Sequence, residues 1–524
     1  MGWHEAVKGL LSRSGRSDHD QTPLVSEIPS STSQLQSLAT PSRQPDHCLT
    51  VDLSRKQHAF EGFGTSLCWW ANIVGGFPEP LRSQLVDLIF DPERGLGLQC
   101  ARYNIGGSGW DHVDRAWLRY GADIDSFWGP QQQWDWSMDA GQRWVAQAAQ
   151  ARGCCFLEAF SNSPPYWMTW SGCASGNYQG WMDNLRPEFH DAFVKYLVTV
   201  VKHFRDDFGL NFRTLDPFNE STSTWWQRGG AQEGCHFGTP LQEEIVQKLA
   251  AALEAEGLTA SGTCVSASDE TNIDVSLATM RAYHPDTMAA VGQINTHAYW
   301  ASPDSRTQLR EFARAAGKRL WMSEFGCGNH PLEDIQSGLD ISRTILQDLN
   351  VLQATAWVYW QAIENTESNN TWGLLQTPFH PKGGQPDIRL SKQYWALLQY
   401  SRWIRNGSTI IACDHPDTVI ATSPHPTDGT DHVVIVSTNF DDSRKQVTYD
   451  LGSAAMGSGG LGLDIHRTSS TENCRNVGKF HLPAQPGPLV IPFELQALSI
   501  STLVIGSVQP SASHCEFDGE WAII

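Results

Sequence analysis

Asp216-Pro217-Phe218-Asn219-Glu220-Ser221-Thr222 closes an apolar run that begins at Phe212. A second stretch, Leu320-Trp321-Met322-Ser323-Glu324-Phe325-Gly326, is another short apolar run that ends on a glutamate. Short apolar runs bounded by polar turns predict buried β-strands. We therefore place Glu220 and Glu324 at the ends of two separate strands, and the rest of the chain can be organised around them.

The sequence around these two strands repeats one unit, a short apolar run followed by a longer helical pattern. Such alternation predicts parallel strands joined by helices. Eight units favour a (β/α)8 TIM barrel over residues 59–395 rather than an open doubly wound sheet, and no GxGxxG turn follows the first strand to indicate a dinucleotide fold. The predicted strands are Ala59–Ser66, Leu98–Ile105, Cys155–Phe160, the run that ends at Glu220, Thr263–Ala267, Val291–His297, Lys318–Glu324 and Thr355–Gln361.

The pattern changes on both sides of the barrel. Residues 396–508 predict an antiparallel β-sandwich, with strands at Val433–Thr438, Gln446–Tyr449, Leu489–Ile491 and Leu498–Ile505 separated by Gly, Ser, Asp and Pro turns. Residues 47–58 contain an alternating stretch, Cys48–Leu53, that we expect to join this sandwich. Residues 1–46 are rich in Ser, Gln, Thr and Pro and predict a disordered leader, and residues 509–524 form a C-terminal tail.

Composition narrows the classes of partner. The net charge of −20 argues against nucleic acid or an anionic membrane surface, because both require basic patches. The chain contains 22 tryptophans, and stacking on sugar faces is one use for so many rings. We find no stretch long enough to span a membrane and no apolar signal-peptide core in Met1 to Arg16, which leaves the compartment open between export and the cytoplasm.

Cysteine and histidine spacing gives no metal motif. The 12 cysteines include no CxxC pair, although Cys173 and Cys235 lie in loops on one predicted face and could pair there. His236, His297 and His330 are isolated, with no HxxxH spacing. We therefore expect neither a metal site nor a cofactor.

Polar and aromatic residues occupy the predicted strand ends, which meet at one face of a barrel and form its active site. Two carboxylates at that rim are what acid/base hydrolysis of a glycosidic bond requires: one delivers a proton while the other stays ionised. Asn219 offers an amide to a sugar hydroxyl. Arg102 either holds Glu324 ionised by lowering its pKa or forms a structural ion pair. We expect five further residues to bind substrate: Asn162, Trp167, His297, Tyr299 and Trp360. The alternative for the aromatic rings is a place in the core.

An ordered set of motifs resembles glycoside hydrolase family 30 over nearly all of residues 48–508. The motifs are Phe60-Glu61-Gly62-Phe63-Gly64, Arg102-Tyr103-Asn104-Ile105-Gly106-Gly107, Ser163-Pro164-Pro165-Tyr166-Trp167-Met168, Pro217-Phe218-Asn219-Glu220 and Ser323-Glu324-Phe325-Gly326. The resemblance implies a retaining enzyme on a TIM barrel with a side β-sandwich, in which Glu220 is the acid/base and Glu324 the nucleophile. It also implies sugar contacts from Asn219, Trp167, Tyr299 and Trp360.

Within that family, Trp225-Trp226 followed by Gln232-Glu233-Gly234-Cys235-His236-Phe237 looks most like the fungal endo-β-1,6-galactanases. One residue departs from the family pattern, since Ser221 stands where Asn-Glu-Pro is usual. Members are typically exported, whereas no export signal is visible here. The resemblance thus implies an enzyme that cuts β-1,6-galactan or arabinogalactan side chains, and we expect it to be a monomer. The alternatives are β-1,6-glucanase, xylanase or glucosylceramidase specificity, or a carbohydrate-binding protein without catalysis.

Overall fold

The computed structural model describes residues 44–507, except 111–115, 329, 369–370, 381–386, 425–429, 453–459 and 483–486. Two short strands, β1 (His47–Thr50) and β2 (Lys56–Phe60), come first. Eight parallel strands then form a closed barrel in chain order, with the last paired to the first. They are β3 (Gly62–Ser66), β4 (Cys100–Asn104), β5 (Phe156–Phe160), β6 (Phe212–Asp216), β7 (Cys264–Glu270), β8 (Val291–His297), β9 (Arg319–Phe325) and β10 (Ala356–Gln361). The predicted TIM barrel is confirmed.

The first predicted strand, Ala59–Ser66, is wrong as a single element. Phe60 ends β2, which pairs with residues of the side domain, whereas Gly62 begins the first barrel strand. Gly62 has a φ of 137°, a backbone conformation that residues other than glycine rarely adopt. At this residue the chain passes from one sheet to the other. Apolar patterning continues through this turn because Phe60 and all of β3 are buried, so the pattern does not show the break.

Helices surround the barrel and bury their apolar faces against it. They are α1 (Ala71–Val74), α2 (Leu81–Phe90), α3 (Ala140–Gln150), α4 (His190–Phe208), α5 (Thr239–Ala255), α6 (Ile273–Ala282), α7 (Pro285–Ala290), α8 (Ser305–Ala315), α9 (Ile335–Gln347) and α10 (Lys392–Ser401). In α4, Phe193, Leu197, Val200 and Phe204 recur at helical spacing and are all buried, and Gly209 ends the helix with a positive φ. None of the helices in the described ranges is long and apolar enough to cross a membrane.

A small three-stranded sheet follows the barrel: β11 (Ile363–Asn365), β12 (Leu375–Thr377) and β13 (Arg389–Leu390). The side domain then adds β14 (Ser408–Ile411), β15 (Thr418–Pro424), β16 (Asp431–Asn439), β17 (Lys445–Asp450), β18 (Leu461–Thr468), β19 (Arg475–Leu482), β20 (Val490–Leu495) and β21 (Ser499–Ser507). Seven strands form one sheet in the order β19-β18-β21-β16-β15-β14-β2, and three form another in the order β1-β17-β20. Both sheets contribute to one apolar core, so the predicted β-sandwich is confirmed.

The N-terminal strands belong to this sandwich. β1 pairs in parallel with β17, as expected of the stretch Cys48–Leu53, and β2 pairs with β14. The sandwich is fixed to the barrel through α10, where the Gln399 amide donates to Thr468 Oγ1 and Thr502 Oγ1 donates to the Gln399 carbonyl. The side domain is therefore built from both ends of the described chain, and the barrel segment lies between these ends in the sequence.

Candidate active site

Two carboxylates and an imidazole meet at the C-terminal ends of the barrel strands. Glu220 follows β6, His297 ends β8 and Glu324 lies near the end of β9. One carboxylate oxygen from each glutamate and one ring nitrogen of His297 all lie within 4.8 Å of one another. The structure therefore brings together the two glutamates that the sequence singled out.

The backbone at Glu220 is held in an unusual conformation. Its φ is 50°, in the left-handed region that a residue with a β-carbon adopts at a cost of about 1–3 kcal/mol. The Glu220 N–H donates to the Asp269 carbonyl at 2.8 Å, and the Trp226 indole donates to the Glu220 carbonyl at 2.9 Å. The side chain then reaches His297 Nδ1 at 3.3 Å. These contacts, from β7, from β8 and from the loop that carries Glu220 itself, offset the strain and hold the carboxylate beside His297.

Glu324 sits deeper and has more partners. The Tyr299 hydroxyl donates to its Oε1 at 2.8 Å, and Arg102 Nη1 donates to its Oε2 at 3.3 Å. Burial raises the pKa of the Glu324 carboxyl to about 7, with the charge of Glu220 adding to the rise while His297 and Arg102 oppose it. The Arg102 guanidinium acts in the expected direction, because it lowers the pKa of Glu324, but desolvation outweighs it.

Arg102 lies beneath the site rather than in it. Its side chain is fully buried and forms ion pairs with Glu158 at 2.8 Å, with Asp269 and with Glu324. Although burial opposes it, the charges of Arg102 and His297 hold the pKa of Asp269 below its ordinary value. A buried charge is stable only when it is paired and hydrogen-bonded in this way. Arg102 thus forms a cluster of buried ion pairs, and this cluster includes Glu324.

His297 joins the same cluster from the other side. Its ring is fully buried, with Nε2 3.2 Å from Asp269 Oδ1 and Nδ1 3.5 Å from Glu324 Oε1. Burial works against protonation, but the carboxylates of Glu324 and Asp269 raise the pKa of His297 well above its ordinary value. A protonated imidazole has no lone pair to offer a metal ion. We therefore interpret this group as a proton-sharing cluster, although Glu220, His297 and Glu324 are close enough to share a metal ion.

A cavity of about 380 Å³ opens above the carboxylates. Of the residues expected from the sequence, Asn219, Glu220, Tyr299, Glu324 and Trp360 line it. Arg102 and His297 are fully buried and contact the lining residues Glu324 and Glu220 from beneath. The remaining lining residues are Trp69, Arg119, Ser175, Trp225, Trp226, Gly230, Ala231, Gln232, Gln361 and Trp372.

Asn162 and Trp167 are not among the lining residues. The Asn162 side chain is buried, and its amide lies 3.8 Å from Cys68 Sγ. The Trp167 indole donates to the Trp128 carbonyl at 3.0 Å, and its ring packs edge-on against Trp128. Both side chains therefore contact neighbouring loops. No disulfide joins the buried residues Cys173 and Cys235.

Trp69, Arg119 and Gln361 are among the cavity residues that sequence reasoning missed. Trp69 stands nearly perpendicular to Trp360 at 4.8 Å, and the Arg119 guanidinium lies over the Trp69 ring at 4.1 Å. Gln361 directly follows Trp360. The rule that strand ends carry function would have found Trp69, which lies just beyond β3, and Gln361, which ends β10. Arg119 lies in a long loop where no periodic pattern indicates its position.

Ser221, the residue in place of the usual proline, takes part in a buried polar network. Its hydroxyl donates to Glu270 at 3.3 Å and accepts from the Gln242 amide at 3.0 Å. Thr222 donates to Glu270 from both its backbone and its hydroxyl, at 3.1 and 2.8 Å. Side-chain hydrogen bonds thus hold the turn after Glu220, where a proline ring would have restricted it by geometry.

Comparisons with known proteins identify the family of this chain. A family model described as O-Glycosyl hydrolase family 30 matches residues 46–372. An endo-β-1,6-galactanase of Hypocrea rufa is 30% identical over 496 residues, which cover 88% of this chain and 96% of the relative. An exo-β-1,6-galactobiohydrolase of Bifidobacterium longum is 25% identical over 537 residues, covering 79% of this chain and 34% of the relative.

Among solved structures, the catalytic domain of a family 30 xylanase C from Talaromyces cellulolyticus superimposes with a TM-score of 0.65. It is 18% identical and covers 88% of this chain and 100% of that domain, which is a likeness of fold. The family model, in contrast, matches by sequence and extends over more than half of the chain. The chain therefore belongs to O-glycosyl hydrolase family 30 and is a glycoside hydrolase.

Proposed function

We propose that this glycoside hydrolase is a retaining enzyme in which Glu220 is the acid/base and Glu324 the nucleophile. The observation that carries the proposal is the separation of the two carboxylates, whose nearest oxygens lie within 4.8 Å. Retaining enzymes place their carboxyl groups about 5–5.5 Å apart, whereas inverting enzymes leave about 6.5–9.5 Å for a water molecule. The spacing here suits direct attack by one carboxylate.

In this mechanism Glu220 donates a proton to the glycosidic oxygen while a Glu324 oxygen bonds to the anomeric carbon. The leaving sugar departs with that proton, and a covalent glycosyl-enzyme remains. Glu220, now a carboxylate, takes a proton from water as the water attacks the same carbon and releases Glu324. Tyr299 and Arg102 hold the two Glu324 oxygens, so only one rotamer of the nucleophile is supported.

The raised pKa of Glu324 has a consequence for this cycle. With its pKa raised to about 7, the Glu324 carboxyl keeps a proton in part of the free enzyme near neutral pH. The reaction requires that proton on Glu220. Positive charge developing at the anomeric carbon favours the ionised form of Glu324, and His297, within reach of both carboxylates, favours it further.

Buried polar atoms without partners support a polyhydroxylated substrate. Asn219 Oδ1, Gln361 Oε1 and Trp69 Nε1 are on residues that line the cavity, and none has a hydrogen-bond partner among the described residues. A buried polar atom left unsatisfied costs about 1–3 kcal/mol, which a sugar hydroxyl would recover. Two acceptors and one donor around an aromatic wall suit the alternating hydroxyl and C–H faces of a pyranose.

The substrate we propose is β-1,6-galactan, including arabinogalactan side chains, cut at internal linkages. The support is the likeness to the Hypocrea rufa endo-β-1,6-galactanase, together with the second relative, whose name carries the same β-1,6-galactosyl linkage. β-1,6-Glucan, xylan and glucosylceramide remain alternatives within the family. A non-catalytic binding protein is disfavoured because both carboxylates and their partners are in place.

The test is product analysis with defined β-1,6-galactooligosaccharides, β-1,6-glucan, xylan and glucosylceramide. We expect galactose oligomers whose first-formed anomer is β by NMR, with label from heavy-oxygen water at the new reducing end. Glucose or xylose products without galactose products would refute the substrate, and a first-formed α-anomer would refute retention.

Azide separates the two roles. With Glu324→Ala, azide takes the place of the nucleophile and should give an α-glycosyl azide, whereas with Glu220→Ala it attacks the covalent intermediate and should give the β-glycosyl azide. The exposed glutamate Glu367, changed to alanine, serves as the control. Exchanged product configurations would reverse the assignment of the two residues.

A further inference from the structure

Exposed aromatic rings cluster on the two loops that follow β5 and β6. Trp170, Tyr178, Trp181 and Trp225 are exposed to 56%, 64%, 62% and 50%. Five of the eight exposed large hydrophobic side chains in the described ranges lie on these two loops, the fifth being Met182. Single exposed rings need no explanation, but a contiguous group of them marks a binding surface.

The two loops are joined into one rigid rim. The Asn177 N–H donates to the Trp226 carbonyl at 3.2 Å, and the Arg228 N–H donates to the Asn177 carbonyl at 2.8 Å. A β-carbon placed on Gly180 would lie 1.9 Å from the Thr224 carbonyl oxygen, so the loop backbones touch there. Trp181 and Trp225 each follow that contact by one residue. Their rings are thus carried by neighbouring points on a fixed backbone.

The rim continues directly from the catalytic cavity. Trp225 is half exposed and also lines the cavity, while the adjacent Trp226 holds the Glu220 carbonyl. Farther along the loop, the Arg228 guanidinium lies over the rings of Trp117 and Tyr178, at 5.3 and 5.9 Å. A cation on a ring face restrains the ring without covering its other side. The aromatic surface therefore begins at the carboxylates and runs outward.

We infer that Tyr178, Trp181 and Trp225 bind sugar units of a polysaccharide beyond those held at the two glutamates. Aromatic rings offer flat apolar faces of the kind that the C–H face of a pyranose can cover, and they are rigid enough to bind at low entropic cost. A polymer that enters the cavity must leave it over this rim, whereas a protein docked on Trp225 would obstruct the cavity. The identity of the polysaccharide rests on the proposed function, but the existence of the surface does not.

The experiment measures retardation of the full chain during native electrophoresis in gels that contain β-1,6-galactan, β-1,6-glucan or xylan. Glu324→Gln in the background prevents hydrolysis. We expect retardation in one gel and, on adding Tyr178→Ala or Trp181→Ala, a dissociation constant about threefold to tenfold higher for each ring lost. Trp181→Phe, which keeps a ring, should recover most of the affinity. Val490→Ala removes an exposed hydrophobic side chain from the side domain and should change nothing.

With the active enzyme, the ratio of kcat/KM for the polymer to kcat/KM for the shortest cleaved oligosaccharide should fall by a similar factor in the Tyr178→Ala and Trp181→Ala variants. If the protein that carries both Tyr178→Ala and Trp181→Ala is retarded as strongly as its Glu324→Gln parent, the inference is overturned. A parent that is retarded in none of the three gels would overturn it as well. A changed sedimentation coefficient with unchanged retardation would also overturn it and would assign the rings to a contact between copies of the chain. Retardation by glucan or xylan instead of galactan would refute the proposed substrate and leave the surface standing.

Discussion

Replacing Glu324 by glutamine is expected to stabilise the protein at pH 8 relative to the wild type, but not at pH 4. In the folded state burial raises the pKa of Glu324 from 4.5 to about 7. Between these two values the folded protein binds a proton that the unfolded chain has lost, so the stability of the wild type decreases as the pH rises. Below 4.5 the carboxyl is neutral in both states. Glutamine is neutral throughout and avoids the cost of a buried charge at high pH.

The size of the effect follows from the pKa shift. Each unit of difference corresponds to about 1.4 kcal/mol, so a rise from 4.5 to about 7 gives about 3 kcal/mol between pH 4 and pH 8. The glutamine amide fits less well against Arg102 and His297, but that cost is nearly the same at both pH values and cancels in the difference. At an unfolding entropy of about 2 cal/mol/K per residue, 3 kcal/mol corresponds to about 3 °C in Tm for a chain of this length.

Scanning calorimetry of the wild type and the Glu324→Gln variant at pH 4 and pH 8 measures this difference directly. Glu367→Gln, at an exposed position, is the matched control and should show the same Tm offset at both pH values. If the Glu324→Gln variant also shows one offset at both, Glu324 does not titrate as a buried group and the reasoning fails. If the Glu324→Gln variant is more stable but has lost turnover, the wild type keeps the Glu324 carboxyl for catalysis at a cost in folding stability.

Three further changes test the site. Tyr299→Phe removes the hydroxyl that lies 2.8 Å from the proposed nucleophile, so kcat/KM should fall by about 10- to 100-fold. The acid limb of the pH–rate profile should move to higher pH, because the ionised form of Glu324 loses a hydrogen-bond donor. An acid limb that stays in place would contradict this reasoning. Ser221→Ala removes a hydroxyl that donates to buried Glu270, and Tm should fall by about 1–2 °C in calorimetry; an unchanged Tm would mean that the network does not stabilise the turn. Gly234→Ala places a β-carbon 2.0 Å from the Trp226 ring, whose indole donates to the Glu220 carbonyl. We expect kcat to fall at least about tenfold while the circular dichroism spectrum stays unchanged. Full activity would show that this ring is free to move.

The barrel could be predicted because its strands are buried on both faces. Such strands read as nearly continuous apolar runs, and their polar ends stand out where the runs stop. Glu220 and Glu324 were visible for this reason, and their grouping follows from the barrel geometry alone. A local pattern combined with one general rule of topology was sufficient.

The charged cluster beneath the site could not be predicted from local pattern. Asp269 lies within β7, yet the apolar run stops at Ala267, and the predicted strand ended there too. Glu158 is similarly a charge inside a buried strand. Both are tolerated because Arg102, from a third strand, neutralises them. Such compensation depends on contacts between segments far apart in the chain, which no window of sequence contains.

The start of α5 also differs from what its local sequence pattern indicates. Thr239, Pro240 and Gln242 have the spacing of a capping box, in which Thr239 would cap the helix. Instead Gly238 precedes the first turn of α5, no side chain caps it, and the Gln242 amide donates to the Phe237 carbonyl and to Ser221. Four strands of the sandwich, β14, β15, β18 and β19, were not predicted, although β18 alternates the buried residues Leu461, Leu463 and Ile465 with less buried ones.

The pairing of the first strands with the last part of the chain has a consequence for how the molecule is made. Asp46 accepts a hydrogen bond from the Gln446 N–H, 400 residues later in the sequence. At a synthesis rate of about 5–20 residues per second, β1 waits about 20–80 s on the ribosome before its partner exists. The barrel strands emerge during that interval and can pair with one another in turn. Assembly is therefore ordered in time: the barrel can form first, and the sandwich closes only after its later strands have been synthesised.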